Sequence, residues 1–552
     1  SFVMPSDEQW AEQIISLREE DRSVVLRDVM HEAPPGSSWC ARGLSLALPN
    51  RNNFLFDLET MSLRSWWLGD FAHERTQGKI WMWEPAGLPV WTHLPRLATL
   101  ALNKRDDGTL LFAQKIGQTV GWLEGWEIDH ERVHFSYRIR FLEKQWIHVK
   151  ESIRPIHLSG HHGFSRSLSI TGVPKGYEVL ILQEMSRQES STSSSCEPLK
   201  NKDHSVLTGN GPLGDYHIRA VSNRTWKRVS VTQKTDPALS AYGLPLGKQT
   251  QDPNPKVYII RLQYLTDTAP LTVKDRPNTI SHAETIPQTP DESEPVPLQV
   301  APGFEVMRLP LPSFVMPTAI AFRSDGTPVV CSLKGEVFLA TDQDDDGWED
   351  TWKTFSDHLA APFGVLTEGD SVIVSHKPEL LKLIDHDGDG RADITKVIAT
   401  GWGYNDNYHD WTFGLVRDDR NQYYVTLGSD YQQNDRPDNA SFLRGHALRI
   451  RSNGEIDDLA SGLRFAAGIN RNLEGAIFFT DNQGVQNTFN EINHLIPNSR
   501  YGVPAKTDTR NDVSITPLRE PAIYVPHPLT RSVNGLCFLE SRGRFAEFEG
   551  HG

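Results

Sequence analysis

Carboxylates at fixed spacing are the first residues in this chain that could do chemistry. In Asp385-His-Asp387-Gly-Asp389-Gly390-Arg-Ala-Asp393, acids stand at positions 1, 3, 5 and 9 of a loop whose sixth residue is glycine. Three carboxylates around one point, a fourth to close the shell and a glycine for the sharp turn suit a hard cation with oxygen ligands, calcium above all. Asp342-Gln-Asp344-Asp-Asp346-Gly347-Trp-Glu-Asp350 repeats the spacing 43 residues earlier. An EF-hand would need flanking helices and a glutamate at position twelve. Here that position is Lys353 in one loop and Lys396 in the other, and the flanks (Glu336-Val-Phe-Leu-Ala, Leu381-Lys-Leu-Ile, Ile394-Thr-Lys-Val-Ile) read as strands. The spacing therefore predicts two strand–loop–strand hairpins, each holding a structural calcium ion. Solvated Asp-Gly turns are the bland alternative, and identical spacing in two copies, each after a strand, argues against it.

A second stretch is Asn405-Asp-Asn-Tyr408-His409-Asp410-Trp-Thr-Phe-Gly414-Leu. A histidine beside a carboxylate at the head of a strand could act as a general base, its pKa set by that acid. A histidine that merely caps the strand is an equal alternative. His157 with His161-His162 could suggest a metal, but no carboxylate stands nearby at ligand spacing, so a solvated turn is the expected reading. Phosphate loops and nucleophile elbows do not occur.

The elements that must position His409 and the acidic loops follow a regular rhythm. Ala319-Ile-Ala-Phe-Arg-Ser-Asp-Gly-Thr-Pro-Val-Val-Cys-Ser reads strand, turn, strand, and the phrase recurs around Asp418-Asp-Arg-Asn and from Gly468 to Thr480. Repeated four-strand units predict a β-propeller over 301–552, with room for about five blades. The acidic loops then fall on outer hairpins of two early blades, and His409 lies at an edge facing the central channel. Gly552 falls inside a strand-like phrase, so the natural protein is expected to continue and the propeller to be incomplete here. Residues 275–300, with five prolines among acids, read as a linker. Ahead of it, residues 36–274 read as a β-rich, sandwich-like domain. Val133, Phe135, Tyr137, Ile139 and Phe141 alternate cleanly there. Residues 1–35 read as a helical lead-in, from the apolar spacing between Asp7 and Leu17. The fold class is thus all-β. Ten of the fifteen tryptophans fall between Trp10 and Trp146, which suits core packing first and a carbohydrate platform second.

Composition narrows the function classes. A net charge of −15 leaves no basic face for nucleic acid. The chain lacks the run of about 18 apolar residues that a membrane span needs. The four cysteines, Cys40, Cys196, Cys331 and Cys537, are scattered and read as thiols rather than a disulfide framework. Calcium loops, together with a chain that starts at Ser1 without methionine, fit an extracytoplasmic location, periplasmic or secreted.

His409 with Gly414, Tyr424-Val-Thr-Leu-Gly428, His446-Ala-Leu-Arg-Ile-Arg-Ser-Asn-Gly454, Gly462-Leu-Arg464, Asp481-Asn-Gln483-Gly484, Asn490-Glu-Ile-Asn493 and Arg500-Tyr-Gly-Val-Pro504 follow one another in a familiar order. In this the chain resembles soluble quinoprotein glucose and sorbosone dehydrogenases. More closely, residues 301–552 resemble membrane-bound dehydrogenase propellers of planctomycetes and verrucomicrobia, which often carry a cytochrome c module. Residues 36–270 resemble an uncharacterised β-rich domain that precedes such propellers, through Arg42-Gly-Leu-Ser-Leu, Phe56-Asp-Leu and Trp66-Trp-Leu-Gly-Asp. The resemblance implies a dehydrogenase of sugars or other alcohols that depends on pyrroloquinoline quinone (PQQ) and calcium. His409, beside Asp410, would be the catalytic base, Arg464 would hold the quinone's carboxylates, and Gln483 would stand near the cofactor. Gly484 and Val485 would offer backbone oxygens to a second kind of calcium, and Asn490 takes the place of an acid. A cytochrome c would accept the electrons. Phe465 stands where the family usually has asparagine. Two other classes stay open: a non-catalytic calcium-stabilised propeller that binds a glycan or protein, and a propeller polysaccharide lyase or hydrolase using His409.

Overall fold

A computed structural model describes residues 14–552 apart from 32–38, 78–79, 94, 116–118, 143–144, 159, 187–197, 202–203, 223, 230–238, 247–256, 270–278, 281–285, 288–299, 301–305, 307–308, 310, 312–314, 346, 408, 432–435, 483–488, 509–517 and 541–547. The chain is all-β. Among the described residues the single α-helix is Asp438–Ser441, and no helix is long and apolar enough to cross a membrane. It divides into two compact units, Ser1–His282 and Ala283–Gly552.

In the first unit, strands Gly43–Ala47, Asn52–Asp57 and Ser62–Leu68 form the middle of a five-stranded antiparallel sheet. It faces long strands that include Arg132–Leu142, Gln145–Leu158, His161–Thr171 and Tyr258–Thr266. Period-two alternation lines up their inward rings. Phe54 lies on Phe164 with centroids 4.9 Å apart, Phe56 meets Phe135 at 5.1 Å, and Trp66 stands edge-on to Phe164 at 5.4 Å. Two packed sheets of this kind make a sandwich. Trp66, Trp67 and Trp226 are among its largest wholly buried side chains. Trp122 and Trp146 remain half-buried, stacked at 5.0 Å with the Arg138 guanidinium over both rings. Deep in the core, Arg166 and Tyr137 satisfy the Glu151 carboxylate, a buried charge that is paired rather than solvated.

The helix expected over the lead-in is not found where the structure describes it. Ile14–Ile15, Val24–Leu26 and Met30–His31 are short strands, and residues 1–13 lie outside the described residues. Ile15, Leu17, Val24, Leu26 and Met30 bury against Leu55, Trp67 and Phe71. Sheet packing of β-branched residues decides here over a local helical spacing. Cys40 and Cys331 are buried free thiols, each with its pKa raised by burial, and Cys537 is exposed.

The second unit is a series of blades, each built on a four-stranded antiparallel meander, with Ile286–Pro287 added at the outer edge of the first and Ser499–Arg500 added in parallel to the third. Pro317–Phe322, Pro328–Ser332, Val337–Thr341 and Thr351–Ser356 make the first blade. The second is Gly364–Glu368, Ser371–His376, Glu379–Ile384 and Ile394–Thr400. Thr412–Arg417, Tyr423–Leu427, His446–Ile450 and Ile456–Ser461 make the third. The fourth is Ile469–Arg471, Ile477–Asp481, Phe489–His494 and Ile523–Pro526. Successive blades pack face to face. Ile373, Leu380 and Trp402 bury against Leu415, Val425 and Leu448, and Val416, Tyr424 and Ala447 bury against Ile469, Ile477 and Phe479. Runs such as Val372-Ile-Val are buried on both faces, as a sheet between two sheets demands. This is propeller architecture, with the first strand of each blade innermost. Beyond the fourth blade, Asn470 Nδ2 donates to the Leu536 carbonyl, Leu539 N–H donates to the His551 carbonyl, and Gly550 N–H donates to the Leu539 carbonyl.

The inner strands approach closely. Gly414 N–H donates to the Phe363 carbonyl at 3.3 Å, and the Ser375 hydroxyl donates to the Gly414 carbonyl at 2.8 Å. A Cβ at Gly364 would lie 2.1 Å from the Gly414 carbonyl oxygen, and one at Gly414 (φ +64°) would lie 1.9 Å from Ile469. Only glycine fits where three blades converge. That convergence fixes the start of the third blade, and with it the residues just ahead of Thr412.

Candidate functional site

Residues 403–407 and 409–411 lead into the innermost strand of the third blade. Asp410 anchors them. It is wholly buried, Arg436 Nη1 donates to its Oδ1 at 2.7 Å, Arg436 Nη2 donates to Oδ2, and Asn405 N–H donates to Oδ2 at 2.6 Å. Such a bidentate pair fixes geometry as well as neutralising charge. Arg444 locks the neighbouring turn by donating to the carbonyls of Gly428 at 2.8 Å and Trp411 at 2.9 Å. Burial lowers the Arg444 pKa to about 10, against the opposing pull of Asp410.

His409 follows from this framework. Its ring stands edge-on to Phe465 at 5.6 Å and to Trp411 at 6.0 Å. Phe465 also meets Trp411 at 5.4 Å and Phe413 at 4.5 Å, and Trp411 stacks on Phe363 at 4.3 Å. His409 therefore sits half-buried against an aromatic wall, with Phe465 contributing a ring where the resemblance expects an amide.

Arg464 adjoins this wall through Phe465. Ser429 N–H donates to the Arg464 carbonyl at 2.8 Å, so the turn after Gly428 and the turn at Arg464 are bonded together. Beneath them Asp481 accepts the N–H groups of Arg464 at 2.8 Å and Phe465 at 2.7 Å, one on each oxygen. The Arg464 guanidinium is half-buried. It donates to the Asn482 carbonyl at 3.3 Å and forms no ion pair among the described residues.

The structure thus brings His409 and Arg464 to one end of the third and fourth blades, with Asp410 as an anchor below. Asn490 is buried, and its amide donates to the Thr530 carbonyl at 2.8 Å. Gln483, Gly484 and Val485 lie outside the described residues. Sequence reasoning gave no role to Asp430, Arg436 or Asp481. Asp430 is 4% exposed, and its Oδ2 has no hydrogen-bond partner among the described residues. Its position in the turn after Leu427 carries no spacing that would single it out.

Asp481 titrates unusually. Burial, with Glu491 nearby, pushes its carboxyl from 3.8 up to about 7, against the two main-chain donors. Glu184 in the first unit does the same: burial pushes it up to about 7 against the N–H groups of Arg96 and Leu97. A folded-state value above the unfolded one means the fold holds a proton that the unfolded chain loses first. The stability from each group is full below about pH 4 and declines as pH rises toward 7. We expect Asp481→Asn to flatten the fall in Tm between about pH 5 and pH 8, leaving the part due to Glu184. A pH profile of Tm identical to wild type would place the titration elsewhere.

The two acidic loops share one construction. Gly390 N–H donates to Asp385 at 2.8 Å, and Gly347 N–H donates to Asp342 at 2.7 Å. His386 N–H donates to Asp393 at 2.7 Å, and Gln343 N–H donates to Asp350 at 3.1 Å. Positive φ falls at loop positions 4 and 6 in both: Gly388 and Gly390, Asp345 and Gly347. One carboxylate oxygen each from Asp385, Asp387 and Asp389 lies within 4.8 Å of the others, a spacing that can hold a cation. In the earlier loop Asp344 is exposed and Asp346 lies outside the described residues. Each loop joins the third and fourth strands of its blade, on the outer side. The later loop also reaches the fourth strand of the first blade. Ala392 N–H donates to the Phe355 carbonyl at 2.7 Å, Lys353 Nζ donates to the Asp389 carbonyl, and Arg391 pairs with Asp357.

Comparison with known proteins adds the following. A family model described as "Domain of unknown function (DUF7133)" matches residues 316–536. No curated protein matches. Among solved structures, a glucose dehydrogenase from Thermus thermophilus shares 18% identity over 39% of this chain and 71% of its own, with a TM-score of 0.31. The PQQ-bound aldose sugar dehydrogenase of Streptomyces coelicolor shares 14% identity over 42% of this chain and 74% of its own, with a TM-score of 0.32. The PQQ domain of pyranose dehydrogenase from Coprinopsis cinerea shares 18% identity over 39% of this chain and 60% of its own, with a TM-score of 0.30.

Proposed function

We propose that residues 301–552 form a quinoprotein-type oxidoreductase, a PQQ- and calcium-dependent dehydrogenase of sugars or other polyols with His409 as general base. Arg464 carries this reading. Its guanidinium is half-buried, on the residue that precedes Phe465 of the His409 wall, and is spent on no described carboxylate, while its neighbour Asp481 is occupied by main-chain donors. A planar cation on the residue before Phe465 suits a flat ligand that carries carboxylates, because its fork binds the acid. PQQ, when bound, supplies the acceptor for the substrate's hydride.

The chain's own residues do the rest. His409 takes the proton from the substrate hydroxyl. The Asp410–Arg436 pair holds the turn that carries His409, so Asp410 is a positioning residue. Trp411 and Phe465 exclude water from that side. Gln483, Gly484 and Val485 complete the cofactor's surroundings in this reading, the latter two by backbone oxygens to a catalytic calcium. Structural calcium would be held by Asp342, Asp344, Asp346 and Asp350 in one loop and by Asp385, Asp387, Asp389 and Asp393 in the other. The protein works outside the cytoplasm, where calcium is plentiful, and passes electrons to a cytochrome c.

Titration of the full chain with PQQ in calcium, followed by calorimetry, tests the cofactor site. Wild type binds, and Arg464→Ala weakens binding by tenfold or more, as the loss of a charge-assisted hydrogen bond of about 1.5–3 kcal/mol requires. Absence of heat in wild type would contradict the reading. A second reading, a propeller that binds a glycan without turnover, draws on the packing of Phe465 against His409. Sugar binding without PQQ binding would favour it.

A further inference from the structure

The histidines near the end of one long hairpin of the first unit acquire partners in the fold that their sequence spacing does not show. His157, near the end of strand Gln145–Leu158, is paired directly across the hairpin with His162, near the start of strand His161–Thr171. Their Nδ1 atoms lie 3.2 Å apart, with ring centroids at 4.5 Å and planes at 68°. Two imidazole nitrogens on one tetrahedral zinc ion, each at about 2.0–2.1 Å, stand about 3.3 Å from one another. The pair thus already stands near the spacing of two ligands on one metal.

We propose that His157 and His162 form a surface chelate for a divalent late first-row transition metal, with zinc, nickel and copper as the class and water completing the coordination. Imidazole nitrogen suits these ions and not calcium, so this site is chemically separate from the acidic loops. Its ligands must be neutral to bind.

The same hairpin supplies a control. His161 follows a different set of contacts: its Nδ1 meets the Asp267 carboxylate, and its ring stands 6.2 Å from that of His217. The strand register pairs His162 with Thr266 and His217 with Leu265. Alternation of side chains therefore puts His161 and His217 on the face opposite to His157 and His162. His217 Nδ1 is already within 3.0 Å of the Thr208 hydroxyl.

Nickel titrated into the calcium-saturated full chain, followed by calorimetry, tests the chelate. Wild type is expected to take up one equivalent. His157→Ala weakens that uptake by more than the roughly tenfold that losing even an outer-shell partner of a metal site costs. His161→Ala leaves it at the wild-type value. His157 is exposed, so its variant should melt as wild type does; His157→Asn, which keeps a polar side chain, repeats the test if it does not. The chelate is overturned if wild type binds no nickel, if both His157 variants bind it as wild type does, or if His161→Ala alone abolishes uptake.

Discussion

Removing calcium with a chelator lowers the melting temperature of the propeller unit by on the order of 10 °C. A site held at 100 times its dissociation constant adds about 2.7 kcal/mol to the stability of the folded state. For domains of about 150–250 residues, each kcal/mol moves Tm by about 2–4 °C. Two loops with the same hydrogen-bonded frame contribute together, and stripping them leaves three carboxylates of the later loop within 4.8 Å of one another. The loops are not equivalent. The later one carries the bonds from Ala392 and Lys353 that tie it to the first blade. Asp387→Asn should therefore cost more Tm than Asp344→Asn. Differential scanning calorimetry in calcium and in chelator checks both statements. A Tm indifferent to chelation would remove calcium from the description, and the reverse order of the two variants would remove the inter-blade role.

Replacing His409 with glutamine lowers kcat by about 10²–10⁴, the usual worth of a positioned general base. His409 is half-buried at the margin of the aromatic wall, so the variant keeps the Asp410–Arg436 anchor and the close approach at Gly414. Cofactor affinity should stay within a few-fold of wild type, because binding is assigned to Arg464. Steady-state rates with a dye acceptor, beside a PQQ titration of the same variant, separate the two effects. An unchanged kcat would take the base role from His409. Loss of cofactor binding along with kcat would make it a structural residue of the wall. Asp410→Asn differs in kind: it breaks a buried ion pair and strands Arg436, so its first effect is on stability.

What could be read without the fold was what lies close along the chain. Each acidic loop is nine residues of local chemistry, and the turn glycines, acids and flanking strands all report on the same hairpin. Blades were legible because the strand–turn–strand phrase repeats. Local spacing could not show the short strands at Ile14–Ile15 and Val24–Leu26, because Ile15 and Val24 take their partners from Phe71 and Trp67, far along the sequence. Around His409 the supporting residues come from separate turns. Arg436 reaches Asp410 across 26 positions and Asp481 reaches the Arg464 turn across 17, so no spacing rule could join them. Asp267, 106 residues from His161, is the same lesson in the first unit: the carboxylate that the sequence did not offer is delivered by the neighbouring strand.

The quinone's own absorbance is the most direct measurement of the proposed activity. The full chain, loaded with PQQ and calcium and then mixed with aldoses and simple alcohols, should show the bound quinone converted to its reduced form by at least one of them, and His409→Gln should slow that conversion at least about 100-fold. A bound quinone whose spectrum no sugar or alcohol alters would contradict the dehydrogenase.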